Sequence, residues 1–363
     1  MLLSELLKTL DDIAPTQNAE SWDNVGLLAG DPAQEVNRAI LTIDYTQDVA
    51  EEANRLGCDL VIAYHPPIFE AIKRLTAGSL VFDAIRRGVA IYSPHTALDI
   101  AHGGTNDMLA DAVGLVERSP LKRAAGKVSH CKLVVFVPEE AAERVASTMF
   151  DAGAGQIGNY SRCSFRTNGT GTFLGGEGAQ PAIGKVGELE TVAEIRLETV
   201  VPINRIDHVV AAMRNAHPYE EPALDLLQWV APSSALGMGR IGTLAAAVPA
   251  SEVFDRIKRE LSLNYLLIAG PRNRAVQRIA VCAGACGNLL DEAISQKADL
   301  YLTGEMRHHD AIKAAKAGLT VVCALHSNSE RAVLKRVRDR LLTAHPALSV
   351  AISAVDRDPF TVL

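Results

Sequence analysis

Apolar residues in this chain arrive in short unbroken runs separated by stretches of helical spacing. Residues 39–44 (AILTID), 58–63 (CDLVIA) and 89–93 (VAIYS) read as buried strands, and residues 47–56, 80–88 and 105–114 carry the period of helices. The same grammar returns after residue 275, where RIAVCAG, ADLYLTG and LTVVCAL alternate with GNLLDEAISQ, MRHHDAIKAAKAG and SNSERAVLKRVRDRLL. Such alternation implies βαβ units and a mostly parallel sheet covered by helices. At the start, MLLSELLKTLDDIAP places Leu3, Leu6, Leu7 and Leu10 on one stripe against Glu5, Lys8, Asp11 and Asp12. That pattern predicts an amphipathic helix of the fold and lacks the uninterrupted apolar core of a signal peptide.

The middle of the chain follows another order. HCKLVVFVP, a helix in EEAAERVASTMFDAG, a Gly-rich stretch from Gly169 to Gly178, IRLETVVP, a helix in INRIDHVVAAMRNAH and ALDLLQWVA give strand, helix, strand, strand, helix, strand. This is the order of a ferredoxin-like α+β module. LKRAAGK before it and APSSALGMG after it read as linkers. The predicted fold is therefore α/β: a split, mostly parallel-sheet domain over 1–123 and 237–363, interrupted by a ferredoxin-like α+β insert over 124–236.

Composition narrows the functions available. The 363 residues carry a net charge of −7 with no Lys/Arg-dense stripe, which argues against general nucleic-acid binding. The basic residues Arg331, Lys335, Arg336, Arg338 and Arg340 fall at helical spacing and read as a solvated helix face. No segment holds eighteen apolar residues in a row, so no membrane span is expected. The six cysteines are scattered and read as buried free thiols of a reducing cytosol, giving a cytoplasmic location. Cys282 and Cys286 lack the second Cys/His pair of a zinc knuckle.

Ligands of open α/β sheets gather at the carboxyl ends of strands, so the polar residues there carry most weight. CDLVIA ends on Tyr64 and His65, held by Pro66 and Pro67, which fix φ and remove two backbone donors. VAIYS leads to His95 with Asp99 four residues on, and LTVVCAL leads to His326 with Glu330 four residues on. An i, i+4 pair shares one helical face. Imidazole with carboxylate suits Zn²⁺, Fe²⁺, Mn²⁺ or Co²⁺ better than a Mg²⁺ or Ca²⁺ cage, and a carboxylate can bridge two ions. His308 and His309 open a helix, where His309 fits either the pocket or the surface. Asp44 fits either the same cleft or a helix N-cap. A P-loop, a nucleophile elbow and a GxGxxG after a strand are all absent.

Five segments in order, ESWDNVGLLAGDP, VIAYHPPIFEAIKRL, IYSPHTALDIAHGGTNDMLA, LTGEMRHHDAIKAAKAG and HSNSERAVL, resemble the Nif-three-like family. Its members are also called dinuclear metal centre hexameric proteins or GTP cyclohydrolase I type 2 homologues. NAHPYEEPALDLL resembles the PII/CutA-like domain inserted in the longer members. The resemblance implies metal ligation by His65, Asp99, His326 and Glu330, with Glu330 bridging and His95 among the ligands or beside them. It implies one or two divalent transition-metal ions per subunit (Zn, Fe, Mn or Co, with Zn favoured) and a toroidal homohexamer.

The common family pattern has two adjacent histidines before the proline, whereas this chain has Tyr64 then His65. Tyr64 joins the candidate ligands only as a phenolate, which its ordinary pKa near 10 opposes unless a metal lowers it. Weaker or partial occupancy of one metal position is expected. WDNVG reads as a turn over Asp23–Gly26, with Trp22 shaping the wall beneath the site. The expected function is a metal-dependent hydrolase acting on a small molecule, with His95 or His309 as general acid/base. The alternative is a metal chaperone, sensor or interaction platform.

Overall fold

In the computed structural model, which describes residues 1–124, 130–228 and 236–361, the chain divides into two units. Met1–Ala124 joins Ser234–Leu363 in one, and Ala125–Ser233 forms the other.

The first unit holds two sheets where one was expected. In the first sheet β4 (Ala90–Ser93), β3 (Leu60–Ala63), β2 (Arg38–Thr42) and β15 (Ser349–Ile352) are parallel neighbours, and β1 (Gly26–Ala29) lies antiparallel beside β4. Every residue of β3 and β4 is buried, which explains their continuous apolar wording. Successive side chains feed opposite faces. Leu60, Ile62 and Tyr92 pack with Leu3, Leu6 and Leu10 of α1 (Leu3–Ile13) and Val337 and Leu341 of α12 (Val333–Ala344). Val61 and Ile91 pack on the other side with Ala53 of α2 (Gln47–Leu56) and Val81 and Ala84 of α3 (Leu80–Arg86).

The second sheet runs β11 (Leu267–Ala269), β14 (Thr320–Cys323), β13 (Leu300–Thr303), β12 (Ala275–Cys282), β10 (Gly237–Pro249), β5 (Glu117–Arg123). Only β12, β13 and β14 are parallel to one another; β11, β10 and β5 pair antiparallel. One face is packed by α5 (Thr105–Val113) and α8 (Ala250–Leu261), the other by α9 (Leu290–Ser295) and α10 (His308–Lys316). Arg123 is paired with Gly237, so β5 and β10 form a hairpin whose connection is the inserted unit. This corrects the linker reading. Leu121–Arg123 and Gly237–Gly239 are strand, while 125–127 of LKRAAGK and 231–235 of APSSALGMG lie outside the described residues.

The second unit follows the predicted order: β6 (His130–Pro138), α6 (Ala142–Asp151), β7 (Ser164–Leu174), β8 (Leu189–Pro202), α7 (Ile206–Ala216), β9 (Leu224–Gln228). Its sheet is antiparallel in the order β7-β8-β6-β9, with Val135, Val145, Met149, Leu197, Val209 and Met213 in its core. The strand over the Gly-rich stretch starts earlier than its glycines, at Ser164.

Candidate metal centre

Five strand ends of the two sheets in the first unit deliver polar side chains to one place. β3 supplies Tyr64 and His65; β4 ends at Ser93, so that Pro94 starts α4 (His95–Ile100) with His95 and Asp99 on it. β14 leads to α11 (His326–Glu330). β2 is followed by Asp44, and β13 by Glu305. The imidazole of His65 lies against those of His95 and His326, with ring centroids 5.5 and 5.2 Å apart. Leu325, just before His326, is held at φ 70°, ψ 158°, a region that side chains other than glycine avoid. His95 itself has φ 25°.

Each histidine is oriented by a carboxylate on the nitrogen away from the centre. Nδ1 of His65 lies 3.0 Å from Asp44 Oδ1, Nδ1 of His95 lies 2.7 Å from Asp23 Oδ1, and Nδ1 of His326 lies 2.8 Å from Glu305 Oε1. Carboxylate–imidazole pairs of this kind fix the ring and its tautomer around metals. Asp23 is held further by the backbone N–H and hydroxyl of Thr96. The cleft reading of Asp44 therefore prevails; the N-cap of α2 is Thr46.

The inward nitrogens face one carboxylate. His65 Nε2 is 3.3 Å from Glu330 Oε2, and His326 Nε2 is 3.3 Å from Glu330 Oε1. His65, His326 and Glu330 offer ligand atoms that all lie within 4.8 Å of one another. His65 Nε2 and Glu330 Oε2 are buried without a hydrogen-bond partner. Two neutral-capable imidazoles and a buried carboxylate with free lone pairs fit a divalent transition metal. Gly284 makes room for the set. A Cβ there would stand 2.8 Å from Glu330 Oε1, and its φ of 71° suits glycine.

The charges agree with that fit. Burial lowers the pKa of His65, but the carboxylates of Asp44 and Glu330 beside its two ring nitrogens outweigh it and push it up to about 10. Glu330 beside His326 pushes it up to about 9 against burial. Burial raises the Glu330 carboxyl, yet His326 and His65 hold it below its ordinary range. The site holds protons in the place a cation fits.

Tyr64 and Asp99 are engaged with each other. The Tyr64 hydroxyl donates to Asp99 and lies 3.2 Å from Thr105 Oγ1. Burial, with Asp99 and Glu330 nearby, keeps Tyr64 a neutral phenol far above its ordinary pKa. Burial also raises Asp99, to about 6. Asn106 clamps the end of α4, donating to the Asp99 carbonyl at 3.0 Å and accepting from Ala283 N–H at 2.9 Å.

His309 stands apart from this group. It is exposed on α10, and its ring packs 5.3 Å from that of His308. Trp22 is 59% exposed, at the rim beside Phe69 and His95, rather than beneath the site. The turn there is Glu20–Asp23, closed by a bond from Asp23 N–H to the Glu20 carbonyl, one turn earlier than WDNVG suggested. Asp23 and Glu305 carry no signal in the sequence as site residues, because nothing local marks an acidic residue whose partner is remote in sequence.

The profile of the Duf34/NIF3 (NGG1p interacting factor 3) family matches residues 1–359. A Mycobacterium tuberculosis protein named GTP cyclohydrolase 1 type 2 homolog is 36% identical over 369 residues, covering 99% of this chain and 97% of the relative. A Bacillus cereus crystal structure described as related to NIF3 superposes with a TM-score of 0.68 at 33% identity, covering 100% of this chain and 99% of that one. A Staphylococcus aureus crystal structure gives 0.74 at 25% identity, with coverage of 100% and 99%.

Proposed function

Because the chain belongs to the Duf34/NIF3 family, we propose that it is a metal-binding protein acting as a metal-dependent hydrolase. The observation that carries the proposal is the pair of orphaned buried atoms, His65 Nε2 and Glu330 Oε2, which face each other at 3.3 Å beside His326. His65, His326 and Glu330 would hold the ion, and Asp44 and Glu305 would set the two rings. A bound divalent ion supplies Lewis-acid polarisation of a substrate oxygen and makes nearby water more acidic. Tyr64 hydrogen-bonds one oxygen of Asp99 in the wall, so a second ion would have to compete with that phenol for the carboxylate.

His95 is the candidate proton carrier. Asp23, kept ionised because His95 and Thr96 outweigh its burial, takes the Nδ1 proton into a hydrogen bond. That leaves Nε2 of His95 free to accept a proton from the reacting water and return it to the leaving group. The name carried by the relatives points to GTP ring opening; phosphoester and cyclic amide hydrolysis use the same groups. A hydrolysis panel of nucleotides and phosphodiesters tests this reading: turnover that Glu330→Ala abolishes while the assembly persists supports it.

The second reading is a metal chaperone or sensor. It is favoured by a cavity of about 540 Å³ in the inserted unit, lined by Phe136, Phe173, Glu194, Arg196 and Tyr219. The βαββαβ order and the β7-β8-β6-β9 sheet of that unit support a ferredoxin-like reading of the PII/CutA type. Reversible metal binding without turnover of any substrate favours this second reading. Assembly into a toroidal hexamer is part of the proposal, with light scattering as its test. Among the described residues no helix is long and apolar enough to cross a membrane, and the free cysteines accord with a cytoplasmic site of action.

A further inference from the structure

We propose that Cys282 and Cys286 form a reversible dithiol–disulfide pair whose oxidation weakens metal binding at the neighbouring centre. Cys282 is the last residue of β12 and fully buried, whereas Cys286 is partly exposed four residues later. Their sulfurs stand 2.6 Å apart, and Cys286 Sγ also lies 3.0 Å from the Ala283 carbonyl. The other four cysteines have no such neighbour among the described contacts, and all six are free thiols.

The loop between the two sulfurs supports the metal site. Gly284 N–H donates to Ser329 Oγ at 2.9 Å, one residue before the ligand Glu330. The Gly284 carbonyl accepts from Gly304 N–H at 3.0 Å, Glu305 N–H at 3.1 Å and the Thr303 hydroxyl at 3.1 Å. Glu305 is the carboxylate that orients His326. A covalent bond between the ends of Ala283–Ala285 pulls this loop, and with it Gly284, against both α11 and Glu305. Outer partners of metal ligands are worth about 10–100-fold in affinity.

The chemistry balances with a peroxide as oxidant. The accessible Cys286 sulfur attacks one oxygen of hydrogen peroxide, the O–O bond breaks, and water leaves, giving the sulfenic acid at Cys286. The Cys282 sulfur then attacks Cys286 Sγ, its proton leaves with the hydroxyl as a second water, and the S–S bond forms. Two thiols are oxidised by two electrons and one peroxide becomes two waters. An external dithiol restores the pair by exchange. In a reducing compartment such a pair is a sensor rather than a staple.

The coupling rests on the metal reading above, and the pair itself does not. The full-length protein is treated with stoichiometric hydrogen peroxide, its thiols are counted after denaturation, and Zn²⁺ affinity is measured with and without dithiothreitol. The expected count falls from six, the number in the sequence, to four (six minus the bonded two), with the Cys282–Cys286 link seen by peptide mass and Zn²⁺ affinity about tenfold weaker. Cys286→Ser should keep the reduced affinity and lose the response to peroxide. Six remaining thiols, a sulfinic acid at Cys286, or a link elsewhere overturns the pair. Equal Zn²⁺ affinity in both states overturns the coupling alone, and no Zn²⁺ binding in the reduced state overturns the coupling together with the metal reading.

Discussion

The hydroxyl of Tyr64 donates to the carboxylate of Asp99, 35 residues away, where both side chains are buried. The family pattern suggested a second imidazole at this position and Asp99 as a ligand. Here a neutral phenol occupies one oxygen of that carboxylate, and the atoms that converge on one point are those of His65, His326 and Glu330. On the metal-binding reading proposed above, this exchange of partners leaves one well-formed position, built by His65, His326 and Glu330.

Asp44→Asn should weaken metal binding by about 10–100-fold while the fold is retained, because an amide no longer fixes His65 through an ionic hydrogen bond. Titration of metal-free protein with a chromophoric competitor measures it. An unchanged affinity would mean that Asp44 is only a surface partner of the ring.

For His95 the corresponding change is Asp23→Asn. With an amide at Nδ1 the ring is free to carry its proton on the wrong nitrogen, so turnover should fall by about 10²–10⁴ with little change in metal content. The pair of measurements, turnover and metal content on one sample, separates proton transfer from metal loss.

How much of this was legible beforehand depends on distance along the chain. The stripe Leu3, Leu6, Leu10 marks α1, and the fully apolar runs mark β3, β4 and β14, because helix period and strand burial are local. His65, His95, His326 and Glu330 were visible because each stands at a strand end or one helical turn beyond it. Which strands pair is not local, so the division into two sheets and the antiparallel β5–β10 hairpin were missed. Asp23 meets His95 across 72 residues and Glu305 meets His326 across 21. His309 had the wording of a site residue, but its turn of α10 faces outward.

In the proposed centre, protons and metal would compete for one place. In the metal-free protein His65 and His326 have pKa values raised to about 10 and about 9 from the ordinary 6.5. Raised values stabilise the fold fully below about pH 6.5, and that contribution is lost as pH rises toward 9–10. The metal-free protein should therefore lose stability across that window, and metal affinity should climb through it. Calorimetry in two buffers of unlike ionisation heat should show proton release on binding, up to about one per imidazole.

Stability beneath the site depends on Arg240, which is 5% exposed. Its guanidinium meets Asp107 at 2.7 Å and donates to the carbonyls of Gly237, Gly239, Ile100 and Ala101. Arg240→Met should cost about 3–5 kcal/mol by leaving the Asp107 carboxylate buried without its main partner. Denaturant unfolding checks the size. Metal affinity should drop as well, because Asp107 shares α5 with Thr105 and Asn106, which hold Tyr64 and α4.

The most direct measurement is the metal content of protein prepared without chelator, taken beside a Tyr64→His variant. One tightly held divalent transition-metal ion per chain is predicted for the natural sequence, with a second bound only in the variant. Two full equivalents in the natural protein, or none, would contradict a single centre built by His65, His326 and Glu330.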